Sequence, residues 1–239
     1  MMFAAIGFDF GGTLTPHLRD YLTELWAHSM HQLLPAVLSE ELHQAFEQCE
    51  DDYWIDPHAV LPGTAERLLE LAAERIGAPP LTGRLRRQLV ARTCELMADA
   101  VPADSPLVDV FAWARGAGLR VGVLSNLILP GVCVTNWLQR QGVENGPDVL
   151  HVSSETGLVK PDPRAFECFS RALGSEPAAT VFVGNDWEED VLPAQRMGYR
   201  VVHRWLTEAP SGPPVIRNSS LQRIEDLSEL PALLSGAAE

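Results

Sequence analysis

The chain has 239 residues, of which 46% are hydrophobic and 21% charged, a composition typical of a globular domain. Its 32 acidic residues exceed its 18 lysines and arginines, and the net charge of −14 argues against binding to the phosphate backbone of nucleic acids. No apolar run reaches the ~20 residues of a transmembrane helix, and the first residues lack the basic region of a signal peptide. We therefore expect a cytoplasmic protein with no membrane partner, whose four widely spaced cysteines are reduced thiols.

Hydrophobic spacing divides the chain into two parts. Residues 3–10 predict a buried strand ending at a Gly-Gly-Thr turn, whereas residues 17–97 repeat apolar positions at helical intervals and predict a small helical bundle. From residue 106 onward, helices and strands alternate. The predicted helices are 108–114, 132–140, 164–173, 190–197 and 221–234, the predicted strands are 120–124, 149–152, 180–183 and 199–205, and residues 210–214 predict a surface loop. Such alternation predicts an α/β fold, a doubly wound Rossmann-like parallel sheet covered by helices on both faces.

Polar residues follow three of these strands, at the sheet edge where ligands bind in such folds. The first strand ends at Asp9, and the next ends at Ser125 and Asn126. The strand 180–183 is followed by Asn185, Asp186 and Asp190. In addition, Lys160 is the only lysine among the 18 Lys and Arg residues, which indicates that a compact ammonium group is required there.

These segments resemble the motifs of the haloacid dehalogenase-like hydrolases, and the resemblance extends over the whole chain. In that family a strand-end aspartate opens a D-x-D-G-T-[LV] motif, a Ser or Thr follows the second strand, a lysine sits in a K-P run, and an acidic motif closes the site. The matching segments here are 9–14, Ser125, Lys160-Pro161 and 184–190. A helical cap inserted after the first motif is also a family feature. The resemblance thus implies an inserted helical-bundle cap over residues 17–99 and a core formed by residues 1–16 and 100–239.

The resemblance also implies a function. The chain is expected to be a Mg²⁺-dependent phosphatase that acts on a small phosphorylated metabolite through an aspartyl-phosphate intermediate. Asp9 would be the nucleophile, and the phosphate would be bound by Ser125, Lys160, Asn126 and the backbone at Gly12. The expected metal ligands are Asp9, the carbonyl of Gly11, Asp186 and Asp190. Asn185 is an alternative to Asp186, because the spacing to Asp190 allows either.

The chain departs from the phosphatase pattern at one position. Phosphatases of the family carry an acid/base aspartate two residues after the nucleophile, and Gly11 stands there instead. Three consequences are open: substrates with good leaving groups, a replacement acid from the cap, or loss of turnover in a binding or regulatory module. The candidate replacements are His17, Asp20, Glu24 and His28.

Two related reactions need to be considered. Dehalogenases also lack this aspartate and use a cap arginine, for which Arg19 is available, but the pair of acidic residues Asp186 and Asp190 favours a metal site. Phosphonate cleavage requires a cap lysine, and the predicted cap has none. The acidic runs 40–41 and 50–52 are expected on solvated helix faces.

Overall fold

A parallel sheet lies at the centre of the fold in the computed structural model, which describes residues 3–56, 64–103, 105–205 and 221–235, apart from the Asp20 side chain. Its six described strands are β1 Ala5–Phe8, β2 Arg120–Ser125, β3 Val149–Val152, β4 Thr180–Gly184, β5 Arg200–Arg204 and β6 Gln222–Ile224. Their order is β3-β2-β1-β4-β5-β6, and every neighbouring pair is parallel. The predicted α/β fold is confirmed, and the chain crosses from one side of β1 to the other between β3 and β4.

The described helices include a group of four between β1 and β2. Their bounds are α1 Leu18–Leu33, α2 Ala36–Ile55, α3 Thr64–Arg75 and α4 Gly83–Ala100. We call residues 18–100 the four-helix segment. The remaining helices are α5 Leu107–Gly116, α6 Gly131–Arg140, the single turn α7 Ser153–Thr156, α8 Pro163–Leu173, α9 Leu192–Arg196 and α10 Leu230–Ser235. No described helix has the length and apolar character that a bilayer crossing needs.

Alternate side chains of the central strands enter two hydrophobic clusters. Ile6 and Phe8 of β1 belong to the cluster that contains α5 and α6, and the Phe8 ring stacks on Phe111 with 6.0 Å between centroids. The opposite face contacts α8, where the Phe169 ring fits against the glycines of β1 and β2. A Cβ added at Gly7 would lie 2.7 Å from this ring and one added at Gly122 2.6 Å, so both strands need glycine for α8 to pack this closely.

Two predictions about the C-terminal part are corrected. The first residues of the predicted helix 221–234 form β6 at the sheet edge, and only Leu230–Ser235 is α-helical. A capping box at Asp226 and Glu229 marks the change from strand to helix. The predicted helix 190–197 is divided into a π-type turn over Trp187–Val191 and the short helix α9. The predicted loop over 210–214 lies outside the described residues.

We call the sheet together with the described helices from α5 onward the sheet domain. The four-helix segment packs on it through α4, which contacts α6. A disulfide joins Cys94 of α4 to Cys133 of α6, with 4.8 Å between the Cα atoms. The prediction of four reduced thiols is therefore wrong for this pair, because tertiary packing brings together two cysteines that are 39 residues apart. Cys49 and Cys168 are free.

Candidate active site

Three segments that follow parallel strands meet at one edge of the sheet. Asp9 comes directly after β1, and its backbone N–H donates to the Val183 carbonyl of β4 at 2.9 Å. Ser125 is the last residue of β2, and Asn185 follows β4. The carboxyl ends of β2, β1 and β4 are adjacent in the sheet, so residues far apart in sequence become neighbours.

Lys160 joins two carboxylates in the interior of this site. Its Nζ donates to Asp9 Oδ1 at 2.7 Å and to Asp190 Oδ1 at 2.5 Å. All three residues are at most 5% exposed. Burial by itself disfavours the ammonium, but the combined attraction of Asp190, Asp9 and Glu189 outweighs it and raises the pKa of Lys160. The lysine therefore stays charged and balances much of the negative charge around Asp9.

Asn126 fixes the position of the lysine backbone. The Lys160 N–H donates to Asn126 Oδ1 at 2.8 Å, while Asn126 Nδ2 donates to the Lys160 carbonyl at 2.9 Å. The same Nδ2 donates to Glu189 Oε2 at 2.9 Å. Burial raises the pKa of Glu189, and Lys160 opposes this effect. The Lys160–Pro161 peptide bond is cis. Asn126 thus connects the loop that contains Lys160 with the turn that follows β4.

A set of oxygen atoms lies on the other side of Asp9. One terminal amide atom of Asn185 faces Asp9. It lies 3.1 Å from the Gly11 carbonyl oxygen, 3.2 Å from Asp9 Oδ2 and 3.0 Å from Thr13 Oγ1. With its nitrogen toward them, the amide donates to all three oxygens. With its oxygen toward them, carboxylate, carbonyl and amide oxygens converge, and these are donors that Mg²⁺ prefers. Among the described residues no group of three or more His, Cys, Asp or Glu side chains is placed to hold a metal. The donor set that fits Mg²⁺ therefore includes neutral oxygens.

Gly12 allows Asn185 to come this close to the first motif. Its φ is +83°, a left-handed conformation that side chains disfavour, and an added Cβ would lie 2.5 Å from Asn185 Nδ2. Gly11 differs, because its φ is not positive and an added Cβ would meet only Leu18 Cβ, at 3.4 Å. The first glycine could carry a side chain, whereas the second could not without local rearrangement.

Asp186 and Asp190 have different surroundings. Asp190 is buried, and its Oδ2 accepts from the Asp186 N–H at 3.0 Å. Burial raises the pKa of Asp190, Lys160 lowers it and Asp9 raises it. The Asp186 side chain is exposed, and its Oδ1 accepts from Glu188 N at 2.8 Å and Glu189 N at 2.7 Å. Asp186 thus caps the π-type turn, and Asn185 is the residue whose side chain reaches Asp9.

A cavity of about 220 Å³ opens beside these residues. Gly11, Ser125 and Asn126 line it on the sheet side, and Glu50 and Trp54 line it from α2. The expectation that the run 50–52 is solvated is wrong for Glu50, which is only 5% exposed. A signal for this was present in the sequence, since Glu50 shares the buried face of α2 formed by Leu42, Phe46, Cys49 and Tyr53 at intervals of three and four residues.

The four residues proposed as replacements for the missing aspartate differ in where the structure places them. His17 lines the cavity from its exposed position before α1. Glu24 and His28 are exposed and do not line the cavity, and His28 Nε2 contacts Gln32. The Asp20 side chain is outside the described part of the structure. Arg19 also lines the cavity, but it is paired with Asp51.

Comparison with known proteins gives concordant matches. The family model described as haloacid dehalogenase-like hydrolase matches residues 3–198. A phosphatase of Mycobacterium tuberculosis is 31% identical over 189 residues, which are 78% of this chain and 76% of that protein. A glyceraldehyde 3-phosphate phosphatase of Methanothermobacter thermautotrophicus is 34% identical over 134 residues, but the match spans only 54% of this chain and 56% of that relative. The solved structure of L-2-haloacid dehalogenase from Xanthobacter autotrophicus aligns over 99% of this chain and 100% of its own, with 19% identity and a TM-score of 0.64.

Proposed function

The chain belongs to the haloacid dehalogenase-like hydrolases, and we propose that it is a Mg²⁺-dependent phosphatase of small phosphorylated metabolites, with Asp9 as the nucleophile. The observation that carries this proposal is the buried Asp9 carboxylate, bound by Lys160 on one side and adjacent to the Asn185 amide and the Gly11 carbonyl on the other. The curated relatives named above are phosphatases, whereas the likeness to the solved dehalogenase concerns the fold alone.

The reaction consists of two displacements at phosphorus. An oxygen of Asp9 attacks the phosphate ester, the bond between phosphorus and the leaving oxygen breaks with its electron pair on that oxygen, and an aspartyl-phosphate forms. Water then attacks the phosphorus of the aspartyl-phosphate, releasing inorganic phosphate and regenerating the Asp9 carboxylate. In both steps Lys160 supplies positive charge beside Asp9, which reduces the repulsion between the carboxylate and the anionic phosphate.

The phosphate is bound by groups at the carboxyl ends of the strands. We assign this role to Ser125, Asn126, Lys160 and the backbone at Gly12, which surround Asp9 or border the cavity beside it. Mg²⁺, when bound, would neutralise phosphate oxygens and orient the phosphate for in-line attack. Asp9, the Gly11 carbonyl and Asn185 would hold it, while Asp190 would act mainly through Lys160. The four-helix segment would serve as the cap and contact the leaving group.

The test is a panel of phosphate esters assayed with Mg²⁺ and with EDTA. The panel contains an acyl phosphate, p-nitrophenyl phosphate, glycerol phosphates and phosphoserine, and 2-chloropropionate is included to detect halide release. We expect phosphate release from at least one ester, its loss in EDTA, and a decrease of at least about 10³-fold in kcat for Asp9→Asn, because the nucleophile is removed. Arg92→Met, which changes an exposed ion pair of α4, serves as the control variant.

Two outcomes would contradict the proposal. Halide release without phosphate release would identify a dehalogenase. Inactivity toward the whole panel, together with measurable binding of Mg²⁺ or phosphate esters, would favour the second candidate, a catalytically impaired binding or regulatory module. The specific observation in favour of that module is Gly11, which places no acid beside the leaving group.

A further inference from the structure

Glu50 is an acidic residue buried between the four-helix segment and the sheet domain. Its neighbours Asp51 and Asp52 are exposed and pair with Arg19 and Arg75, whereas no described cation forms an ion pair with Glu50. Its side chain hydrogen-bonds with that of Trp54. Burying a carboxyl group without a cation costs free energy, and such positions are uncommon outside functional sites.

The cavity connects Glu50 to the site of phosphate chemistry. Gly11, Ser125 and Asn126 form its sheet side, directly after the strands that carry the nucleophile and the phosphate-binding residues. A leaving group attached to a phosphate at Asp9 would extend towards this cavity, because Gly11 lies two residues after the nucleophile and lines the cavity wall. The leaving oxygen of an alkyl phosphate departs as a strongly basic alkoxide unless a group donates a proton to it, and Gly11 has no side chain that could do so.

We propose that Glu50 is the general acid that protonates the leaving oxygen, an inference that rests on the proposed phosphatase function. As the bond between phosphorus and oxygen breaks, the electron pair stays on the oxygen and takes the proton of the Glu50 carboxyl group. Glu50 is then a carboxylate and accepts a proton from the water that attacks the aspartyl-phosphate. The alcohol and inorganic phosphate leave, and Glu50 has regained its proton.

The electrostatics of the cavity favour the protonated form of Glu50. Burial raises the pKa of Glu50, the hydrogen bond with Trp54 and the charge of Arg19 lower it, and Asp51 and Glu47 raise it. His17 is a further titratable group on the cavity wall. Since the folded-state pKa is raised, Glu50 keeps its proton to higher pH than an exposed glutamate. Hydrolysis that needs this proton should decline as the pH rises through that pKa.

The other polar groups of the cavity are less suited to this step. Arg19 is engaged in an ion pair with Asp51. His17 is exposed to solvent. Glu189, a second carboxyl group with a raised pKa, does not line the cavity, and its carboxylate accepts a hydrogen bond from Asn126.

The experiment compares two leaving groups in Glu50→Gln. We measure kcat/KM, which reports only the steps up to formation of the aspartyl-phosphate, because hydrolysis of that intermediate is common to all esters. With glycerol phosphate, whose leaving group is poor, we expect kcat/KM to fall by about 10²- to 10⁴-fold, and with p-nitrophenyl phosphate by no more than about 3-fold. Glu41→Gln, at an exposed position of the same helix, should leave both rates unchanged. Adding Gly11→Asp to Glu50→Gln should restore glycerol phosphate hydrolysis at least about 10-fold, since the backbone at Gly11 accepts a side chain.

The pH profile of the unmodified enzyme provides a test that does not depend on a variant. The kcat/KM for glycerol phosphate should fall at high pH relative to that for p-nitrophenyl phosphate, and this difference should disappear in Glu50→Gln. Equal losses of kcat/KM with both esters, or no loss with either, would overturn the inference while leaving the proposed function intact. Selective loss in Glu189→Gln, with Glu50→Gln unaffected, would overturn it as well. If the unmodified enzyme hydrolysed no ester, both proposals would fail.

Discussion

Replacing Lys160 with methionine tests the charge balance of the site without reference to activity. The substitution keeps a long apolar side chain but removes the ammonium that donates to Asp9 at 2.7 Å and to Asp190 at 2.5 Å. Both carboxylates then remain in the interior without this partner. Breaking a buried ion pair by removing one member costs about 3–5 kcal/mol. This is a large part of the ~5–15 kcal/mol of free energy that keeps a typical domain folded.

The destabilisation should depend on pH. Burial raises the folded-state pKa of Asp190, and Lys160 opposes this shift, so the pKa rises further once the ammonium is gone. An acid whose folded-state pKa is raised destabilises the fold only at pH values at which the same acid is ionised in the unfolded chain. The loss in Lys160→Met should therefore be small near pH 4, close to the unfolded pKa of aspartate, should grow as the pH rises towards the folded-state pKa of the variant, and should level off above it.

Urea denaturation at neutral pH and near pH 4 measures both effects. Lys160→Met in an Asp190→Asn background should cost less than in the unmodified chain, by a coupling energy of about 1–3 kcal/mol, because only Asp9 then loses its partner. Arg92→Met removes an exposed ion pair with Glu95 and should cost at most about 1 kcal/mol. A loss at neutral pH no larger than that of Arg92→Met, or a loss that does not vary with pH, would refute the reasoning.

Three further predictions follow from the local geometry. Gly12→Ala combines a φ of +83° with a Cβ that would meet Asn185 at 2.5 Å, so it should lower the free energy of unfolding in urea by about 2–4 kcal/mol. The control Gly118→Ala has a φ of +73° but no atom within 4 Å of the added Cβ, so it should cost only about 1 kcal/mol. Equal losses in the two variants would contradict the role given to the contact with Asn185. Asn185→Asp places a second carboxylate about 3.2 Å from Asp9 Oδ2, so the unfolding temperature in EDTA should be lower than that of the unmodified chain. Adding Mg²⁺ should raise the unfolding temperature of this variant by more than it raises that of the unmodified chain. An unchanged response to Mg²⁺ would count against the oxygen donor set. Cys94→Ser opens a disulfide between residues 39 apart and should cost about 4 kcal/mol more under oxidising conditions than in excess dithiothreitol, where only the exchange of a buried thiol for a hydroxyl remains. Cys49→Ser should show no dependence on dithiothreitol.

The sequence determined the fold class and which segments meet at the candidate site. Hydrophobic runs of four to six residues alternating with amphipathic helices are compatible with a parallel sheet, and the carboxyl ends of such strands lie on one edge. This was enough to predict that Asp9, Ser125 and the residues after β4 would be near one another. Lys160 could be identified as a candidate because it is the single lysine among the 18 Lys and Arg residues of the chain.

Side-chain neighbours and long-range packing were decided only by the tertiary structure. Asn185 and Asp186 are adjacent, and only the turn after β4 determines that the amide faces Asp9 while the carboxylate caps the turn. Helical spacing places Glu50 on the buried face of α2, but only the packing of that helix determines that Glu50, alone in its acidic run, lines the cavity. The bond between Cys94 and Cys133 likewise depends on how α4 packs against α6. Local sequence sets the type of each element and the residues at its ends, whereas the neighbours of a side chain depend on contacts between segments that are distant in the chain.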